Sequence, residues 1–344
     1  MDLKSQNRIL ITGATGFIGS HLVKDLAEKG FKIRCLVKYS SSKDALDFLN
    51  NLETELFYGD LNDKESLENA VKGIDYVFHL GGGGRVGMSK EIQCRINIEG
   101  TKNILEACVS NGNIKKFIHV STCAVMGDIK NGPADETYPL NPANMAYSYA
   151  KTEAEKVALS YKDRIHLVVV RFPGVYGIPL IKGEPDRIGG VTPILMIFSA
   201  VKHGKWRYVG EGKNFIHLFY IDDAVRGLEL SHEKGRAGEI YIIGDKQSIR
   251  MVEMVRTAAN VLHVEEPNGH VPVSIARIFA LVSELGAKLF GGIPVMSREM
   301  VTGFISNLYI DTSKARKELG YESKVSLEAG MKQTVEWYKA NGYL

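Results

Sequence analysis

Tyr147 and Lys151 are the residues of this 344-residue chain best suited to move a proton. They stand four apart in Tyr147-Ser148-Tyr149-Ala150-Lys151, a spacing that puts both side chains on one face of a helix. A phenol beside an ammonium is a proton donor: the positive charge favours phenolate and draws the tyrosine down from about 10 toward working pH. The same ammonium can hold a ribose hydroxyl. Spacing alone is weak support, because Tyr39 and Lys43 repeat it. Those two sit among serines beside the second strand-like run and read as a solvated loop. Tyr147 instead follows the fifth run, at the carboxyl edge where parallel sheets bind ligands.

A glycine turn supplies the second chemical feature. Thr12-Gly13-Ala14-Thr15-Gly16-Phe17-Ile18-Gly19 follows the apolar run Ile9 to Ile11 and opens a helical pattern with Leu22, Val23 and Leu26 on one face. Gly13 lets the turn tighten, Gly16 lets a phosphate approach the backbone, and Gly19 lets the helix pack closely on the strand. The exposed N–H groups and positive dipole end of the helix then face the anion. NAD sites usually end the second strand with an acid that accepts ribose hydroxyls. Here that strand ends Val37-Lys38, followed by Ser40, Ser41, Ser42 and Lys43. Lys38 therefore predicts a preference for NADP(H) through its 2′-phosphate, with NAD(H) as the alternative. A lysine acts there as a point charge, so the preference is modest.

The elements that must position these groups alternate. Strand-like runs at Ile33 to Val37, Glu55 to Tyr58, Tyr76 to Leu80, Phe117 to Ser121 and Leu167 to Arg171 are separated by amphipathic segments such as Ser66 to Val71, Ile98 to Val109 and Ala154 to Leu159. Continuous β-branched runs between helices predict an α/β fold, a doubly wound parallel Rossmann sheet covered on both faces. After Arg171 a Gly/Pro-rich stretch from Pro173 to Pro193 interrupts the alternation. Short strand candidates return at Arg207 to Val209 and Glu239 to Ile243. The expected dinucleotide-binding domain is 1–172 with returning segments at 206–243 and 306–320. A smaller mixed α/β substrate lobe takes 173–205, 244–305 and 321–344. Asp311 begins a cap for a short helix, and the chain ends in an amphipathic helix through Val335, Trp337 and Tyr338.

Composition narrows the partners. A formal charge of +3 with scattered basic residues gives no nucleic-acid footprint. The four cysteines, Cys35, Cys94, Cys108 and Cys123, lack C-x-x-C spacing and read as reduced thiols in a cytoplasmic protein. His79 and His217 lack ligand partners at metal spacing, so no metal is assigned. No apolar run reaches membrane length, and the N-terminus has no signal-peptide pattern. The apolar stretch Val273 to Ile293, broken by Arg277, Glu284 and Lys288, reads as a helix closing the substrate lobe, with peripheral membrane contact as the alternative.

The ordered set of motifs resembles the extended short-chain dehydrogenase/reductases, nearest in pattern to the 3β-hydroxysteroid dehydrogenase, dihydroflavonol reductase and hopanoid-associated branch. It comprises the glycine turn, Gly59-Asp60-Leu61, Asn97 in Asn97-Ile98-Glu99-Gly100-Thr101, Ser121-Thr122 before Val125-Met126-Gly127, the Tyr147/Lys151 pair, and Arg171-Phe172-Pro173-Gly174-Val175-Tyr176-Gly177. The resemblance implies Tyr147 as general acid/base and Lys151 on the ribose. It places Thr122 on the substrate oxygen, and makes Asn97 the residue that orders its helix and a water near the lysine. It also implies cofactor contacts from Thr15, Phe17, Ile18, Asp60, Leu61, Leu80, Gly81, Gly82, Pro173 and Val175, with Asp60 accepting the adenine amino group. On the substrate side it implies Gly84, Arg85, Met126, Gly174 and Phe215. It further implies a homodimer paired through the helix after Glu91 and the helix carrying Tyr147. Taken alone, Gly-Asp-Leu reads equally well as a helix cap.

Departures from the family pattern sharpen the function. Gly81-Gly82-Gly83-Gly84 either widens the passage for cofactor and substrate or forms a loose loop. Cys123 and Ala124 replace the acidic residues of sugar dehydratases, which argues against dehydration. Ile216 stands where nucleotide-sugar enzymes carry a diphosphate-binding arginine, so the expected substrate is an apolar ketone or secondary alcohol walled by Phe215, Phe219 and the Val273 to Ile293 region. Against this, Lys213, Arg207 or Arg187 offers a charge from another direction. The alternatives are a nucleotide-sugar 4-epimerase with tightly held NAD and a catalytically silent dinucleotide sensor.

Overall fold

The computed structural model describes residues 7–83, 88–142, 145–181, 191–292 and 294–344. Its centre is the sheet that the β-branched runs demand. Strands β1 (Arg8–Thr12), β2 (Lys32–Val37), β3 (Glu55–Tyr58), β4 (Tyr76–His79), β5 (Lys116–Thr122) and β6 (Leu167–Phe172) are joined by the strand Ile240–Ile242. The order is β3-β2-β1-β4-β5-β6 and then Ile240–Ile242, with every pair parallel. Ile9, Leu10 and Ile11 lie fully buried on β1 because both faces carry helices.

The crossovers are α1 (Phe17–Glu28), α2 (Lys43–Asn51), α3 (Lys64–Ala70), α4 (Lys90–Cys94) running through a π-helical turn at Arg95–Glu99 into α5 (Gly100–Asn111), and α6 (Ala146–Leu159). One buried cluster joins α1 to the helix Ile221–Lys234 and to the lobe; another packs α3 and α5 on the opposite face. Strand order reverses between β1 and β4, which opens a crevice at the carboxyl ends.

The returning segment divides. Ile240–Ile242 extends the central sheet, whereas Tyr208–Val209 pairs with His270–Val271 in a separate ribbon, and Leu218–Tyr220 pairs with Gly174–Tyr176. Asp223 ties the C-terminal segment down: its buried carboxylate accepts from the Lys324 and Val325 N–H groups. The final helix, Leu327–Ala340, is capped by Ser326 and buries Val335 and Tyr338.

The apolar stretch from 273 departs from expectation. It forms a helix, Val273–Phe290, but buries only Ala276 and Ala280. Its large side chains face outward, so it does not close the lobe with an apolar wall. Ile293, the expected end, lies outside the described residues. Phe219 is likewise unavailable as a wall; it is core, tilted against Phe172 at 5.5 Å.

Candidate active site

The β1–α1 turn is shaped for an anion. Gly13 has φ +74°, and a Cβ there would stand 2.7 Å from the Leu80 carbonyl carbon. A Cβ on Gly19 would meet the Gly13 oxygen at 2.0 Å, so this glycine lets α1 pack on the turn itself. At Gly16 the only near atom is that same oxygen, at 3.2 Å. Side chains of Ser42, Asp63 and Ser89 cap α2, α3 and α4, whereas Gly16 places none over the first turn of α1, and no acidic residue lies there. The opening N–H groups and dipole of α1 are thus left for a ligand, with Thr15 and Ile18 half-buried beside them and Phe17 buried.

A tethered glycine floor lies opposite. The Thr12 hydroxyl accepts the Gly81 N–H at 2.9 Å and lies 2.8 Å from His79 Nδ1, while His79 Nε2 lies 3.0 Å from the Thr101 hydroxyl. Burial holds His79 neutral, lowering its pKa to about 3. Asn97 takes the Gly83 N–H at 2.9 Å and donates to the carbonyls of Gly83 at 2.9 Å and Gln93 at 2.8 Å. Gly82 has φ +126° and leaves no room for a Cβ against the Asn97 side chain. Gly82 and Gly83 thus hold positive φ in a segment that hydrogen bonds to Thr12 and Asn97 tether. Leu61 packs beneath Gly81 and Gly100, and Leu80 is half-buried. Gly84 and Arg85 lie outside the described residues.

On the other side, β5 and α6 bring Thr122, Tyr147 and Lys151 together. Thr122 ends β5 and takes the Ala124 N–H, with its side chain beside the Tyr147 phenol. Lys151 is buried one turn along α6 and donates to the Val120 carbonyl at 2.8 Å. Burial draws Lys151 down to about 8, opposed by Glu155. Burial also raises Tyr147, opposed by the Thr122 hydrogen bond. This corrects the expectation of a tyrosine lowered by its lysine: desolvation dominates at this phenol.

Beneath them lies a layer that spacing did not single out. Glu155 is fully buried, accepts the Ser121 hydroxyl at 2.5 Å and takes Arg171 in a forked pair whose shortest contact is 2.6 Å. Arg171 also donates to the Glu136 carbonyl at 3.1 Å. The available signal was Glu155 four residues after Lys151, hence on the same helix face.

Other expected contacts divide. Asp60 is fully engaged: one oxygen takes the Asn62 N–H and amide at 2.9 and 3.1 Å, the other pairs with Lys38 at 2.9 Å. The helix cap in this region is Asp63, not Asp60. Met126, expected on the substrate, is fully buried with Val125, Ile129 and Ile310 and offers a ligand no surface. Pro173 is buried and Val175 half-buried, while the Gly174 N–H donates to the His217 carbonyl at 2.9 Å. Phe215 is half-buried, stacked on Tyr309 at 4.4 Å. Arg187 lies outside the described residues. No group of three or more potential metal ligands occurs among the described residues.

A reversed parallel sheet, an uncapped glycine-entered helix at its crevice and a Thr–Tyr–Lys cluster at the neighbouring strand end define a dinucleotide-binding oxidoreductase of the extended short-chain type. The chain belongs to the NAD-dependent epimerase/dehydratase family, whose model matches residues 9–244. It is 26% identical over 348 residues to the human protein named sterol-4-alpha-carboxylate 3-dehydrogenase, decarboxylating, covering 96% of this chain and 88% of the relative. It is 28% identical over 375 residues to zebrafish (Danio rerio) short-chain dehydrogenase/reductase family 42E member 1, covering 99% and 90%. Among solved structures it resembles a UDP-glucose 4-epimerase from Thermotoga maritima, with TM-score 0.77, 26% identity and coverage of 97% and 99%.

Proposed function

We propose that the chain transfers hydride between a nicotinamide dinucleotide and a largely apolar ketone or secondary alcohol, with Tyr147 as general acid/base. The observation that carries this reading is the Tyr147 phenol beside Thr122, with buried Lys151 on the same helix face. The glycine turn fits a pyrophosphate, because a Cβ on Gly13 would collide with backbone and none covers the first turn of α1. A bound dinucleotide supplies the hydride acceptor or donor. Thr122 and Tyr147 orient the substrate oxygen, and Tyr147 passes a proton to or from it. Lys151, in the same cluster, is the residue to hold ribose hydroxyls. Asn97 keeps the Gly81–Gly83 floor in place.

Turnover of apolar secondary alcohols and ketones by the purified chain, lost in Tyr147→Phe with dinucleotide binding retained, tests the reading. Full activity in that variant rejects it. The likeness to a UDP-glucose 4-epimerase favours a second reading, nucleotide-sugar 4-epimerisation. Micromolar calorimetric binding of a UDP-sugar, competed by UDP, selects the epimerase. Ile216, half-buried and paired to Ile249, carries no charge for the diphosphate.

The finer cofactor choice rests on Lys38. Its ammonium and Asp60 face a cleft of about 580 Å³ shared with Tyr39 and Tyr58, at the β2–β3 end of the sheet and away from Tyr147. We read this as the 2′-phosphate end of an NADP(H) site, tempered by the Asp60 charge already paired with Lys38. A homodimer through α4 and α6 is the matching assembly: Ile92 and Tyr149 are exposed on these helices, and Lys90 stands 4.0 Å over the Tyr149 ring. Sedimentation at micromolar concentration tests it.

A further inference from the structure

We propose that the helix Val273–Phe290 docks the protein on an anionic lipid surface. At 3.6 residues per turn its exposed apolar arc runs from Leu281 through Leu285, Ile278, Leu289 and Val282 to Phe290, spanning about half the circumference. These are large side chains on a helix whose buried residues are both alanines. Ile278 is 63% exposed, Leu289 78% and Phe290 88%. Exposure of this extent on one face marks an interaction site.

Two features select a lipid surface over a second copy of this chain. The first is width. Helices that pair through a two-residue-per-heptad seam bury a narrow stripe, which would leave Leu281 on one edge and Phe290 on the other in water. A planar apolar phase covers the whole arc. The second is charge. Arg277 and Lys288 lie along the Leu281 edge, three turns apart, exposed, with no ion-pair partner among the described residues. The helix's one acid, Glu284, is taken by Arg298 at 2.8 Å. An apolar arc bordered by unpaired cations with long stems matches acyl chains below and anionic headgroups above.

The docked helix is also tied to the reaction centre. Ala280 is fully buried in a cluster with Val301 of the helix Arg298–Ile305. Glu299 on that helix accepts the N–H of Ala146, the residue before Tyr147, at 3.0 Å. A bilayer under Val273–Phe290 therefore lies against the unit that holds the start of α6, and an apolar substrate dissolved in lipid reaches the lobe without crossing water. The docking itself does not depend on the chemistry assigned to Tyr147.

Co-sedimentation of the full chain with vesicles of phosphatidylcholine, with and without phosphatidylglycerol, tests the assignment. Binding is expected on the phosphatidylglycerol vesicles. It should weaken roughly ten-fold or more in Arg277→Ala/Lys288→Ala, since each cation near an anionic surface contributes about five-fold. Ile278→Glu/Leu285→Glu should abolish binding while circular dichroism, melting temperature and dinucleotide affinity stay unchanged. Wild-type protein that stays in the supernatant with both vesicles overturns the proposal. Equal binding to both vesicles overturns the anionic assignment. A dimer in sedimentation velocity that Ile278→Glu/Leu285→Glu converts to monomer, with no vesicle binding, gives the face to a second copy.

Discussion

Tyr147/Lys151 and Tyr39/Lys43 share one spacing and one pair of chemical groups, yet the fold gives them opposite surroundings. Tyr39 is 85% exposed in the turn after β2, stacked on Tyr58 at 5.0 Å, and Lys43 opens α2. Tyr147 and Lys151 lie on a helix pressed against β5, where Thr122 meets the phenol and the Val120 carbonyl takes the ammonium. The first pair stands in solvent. Burial takes the second out of water, where desolvation and the neighbours Thr122 and Glu155 set the two charges. Chemistry at a given spacing is thus set by what excludes water.

Removing each hydroxyl breaks the comparison most directly. Tyr147→Phe should cost roughly two to four decades in turnover and leave dinucleotide affinity within a few-fold. Tyr39→Phe should leave turnover unchanged in the same steady-state assay. Equal losses in both variants would mean that burial is not what separates them.

Glu155→Ala should destabilise by about 3–5 kcal/mol in urea unfolding, because Arg171 is left charged and buried. The exposed pair of Lys38 and Asp60 gives the contrast: Asp60→Asn should change stability by less than about 1 kcal/mol. In size, Gly19→Ala follows. Its methyl would press on the Gly13 carbonyl, at a cost of about 1–3 kcal/mol and with weakened dinucleotide binding by fluorescence titration.

Titration sharpens the comparison further. Burial lowers Lys151 from 10.5 to about 8 in the folded chain, so between those values the unfolded chain binds more protons. Its contribution to stability therefore rises as pH increases from about 8 toward 10.5, and is unfavourable and constant below that window. Lys151→Met should remove this slope from stability measured against pH. The smallest effect is expected at the cofactor's far end: Lys38→Ala should weaken NADPH several-fold and leave NADH unchanged, as read by competitive binding.

Periodicity made the central sheet legible, because buried parallel strands must be continuous β-branched runs and the helices between them must be amphipathic. Glu55–Tyr58 matches its expected span, and the other strands differ by a residue or so at their ends. The glycine turn was legible for a local reason: Gly13 has positive φ, and Gly19 has no room for a Cβ. Less could be read where a residue's role depends on distant partners. Met126 sits in a family motif but turns into the core, and the outward face of Val273–Phe290 has the same pattern as a core helix. His79 was legible only as a residue without metal partners; its link from Thr12 to Thr101 joins β1, β4 and α5.

By itself the amino-acid sequence determined the doubly wound sheet, the glycine-entered first helix and the placing of Tyr147 and Lys151 on one helix face. All three rest on local conformational preference and hydrophobic period. Only the tertiary structure decided that Thr122 meets the phenol, that Lys38 is paired with Asp60, that Glu155 and Arg171 form a buried foundation, and that the helix Val273–Phe290 faces outward. Each of these depends on which surfaces exclude water and which charges meet across long stretches of chain, and no local pattern carries that information.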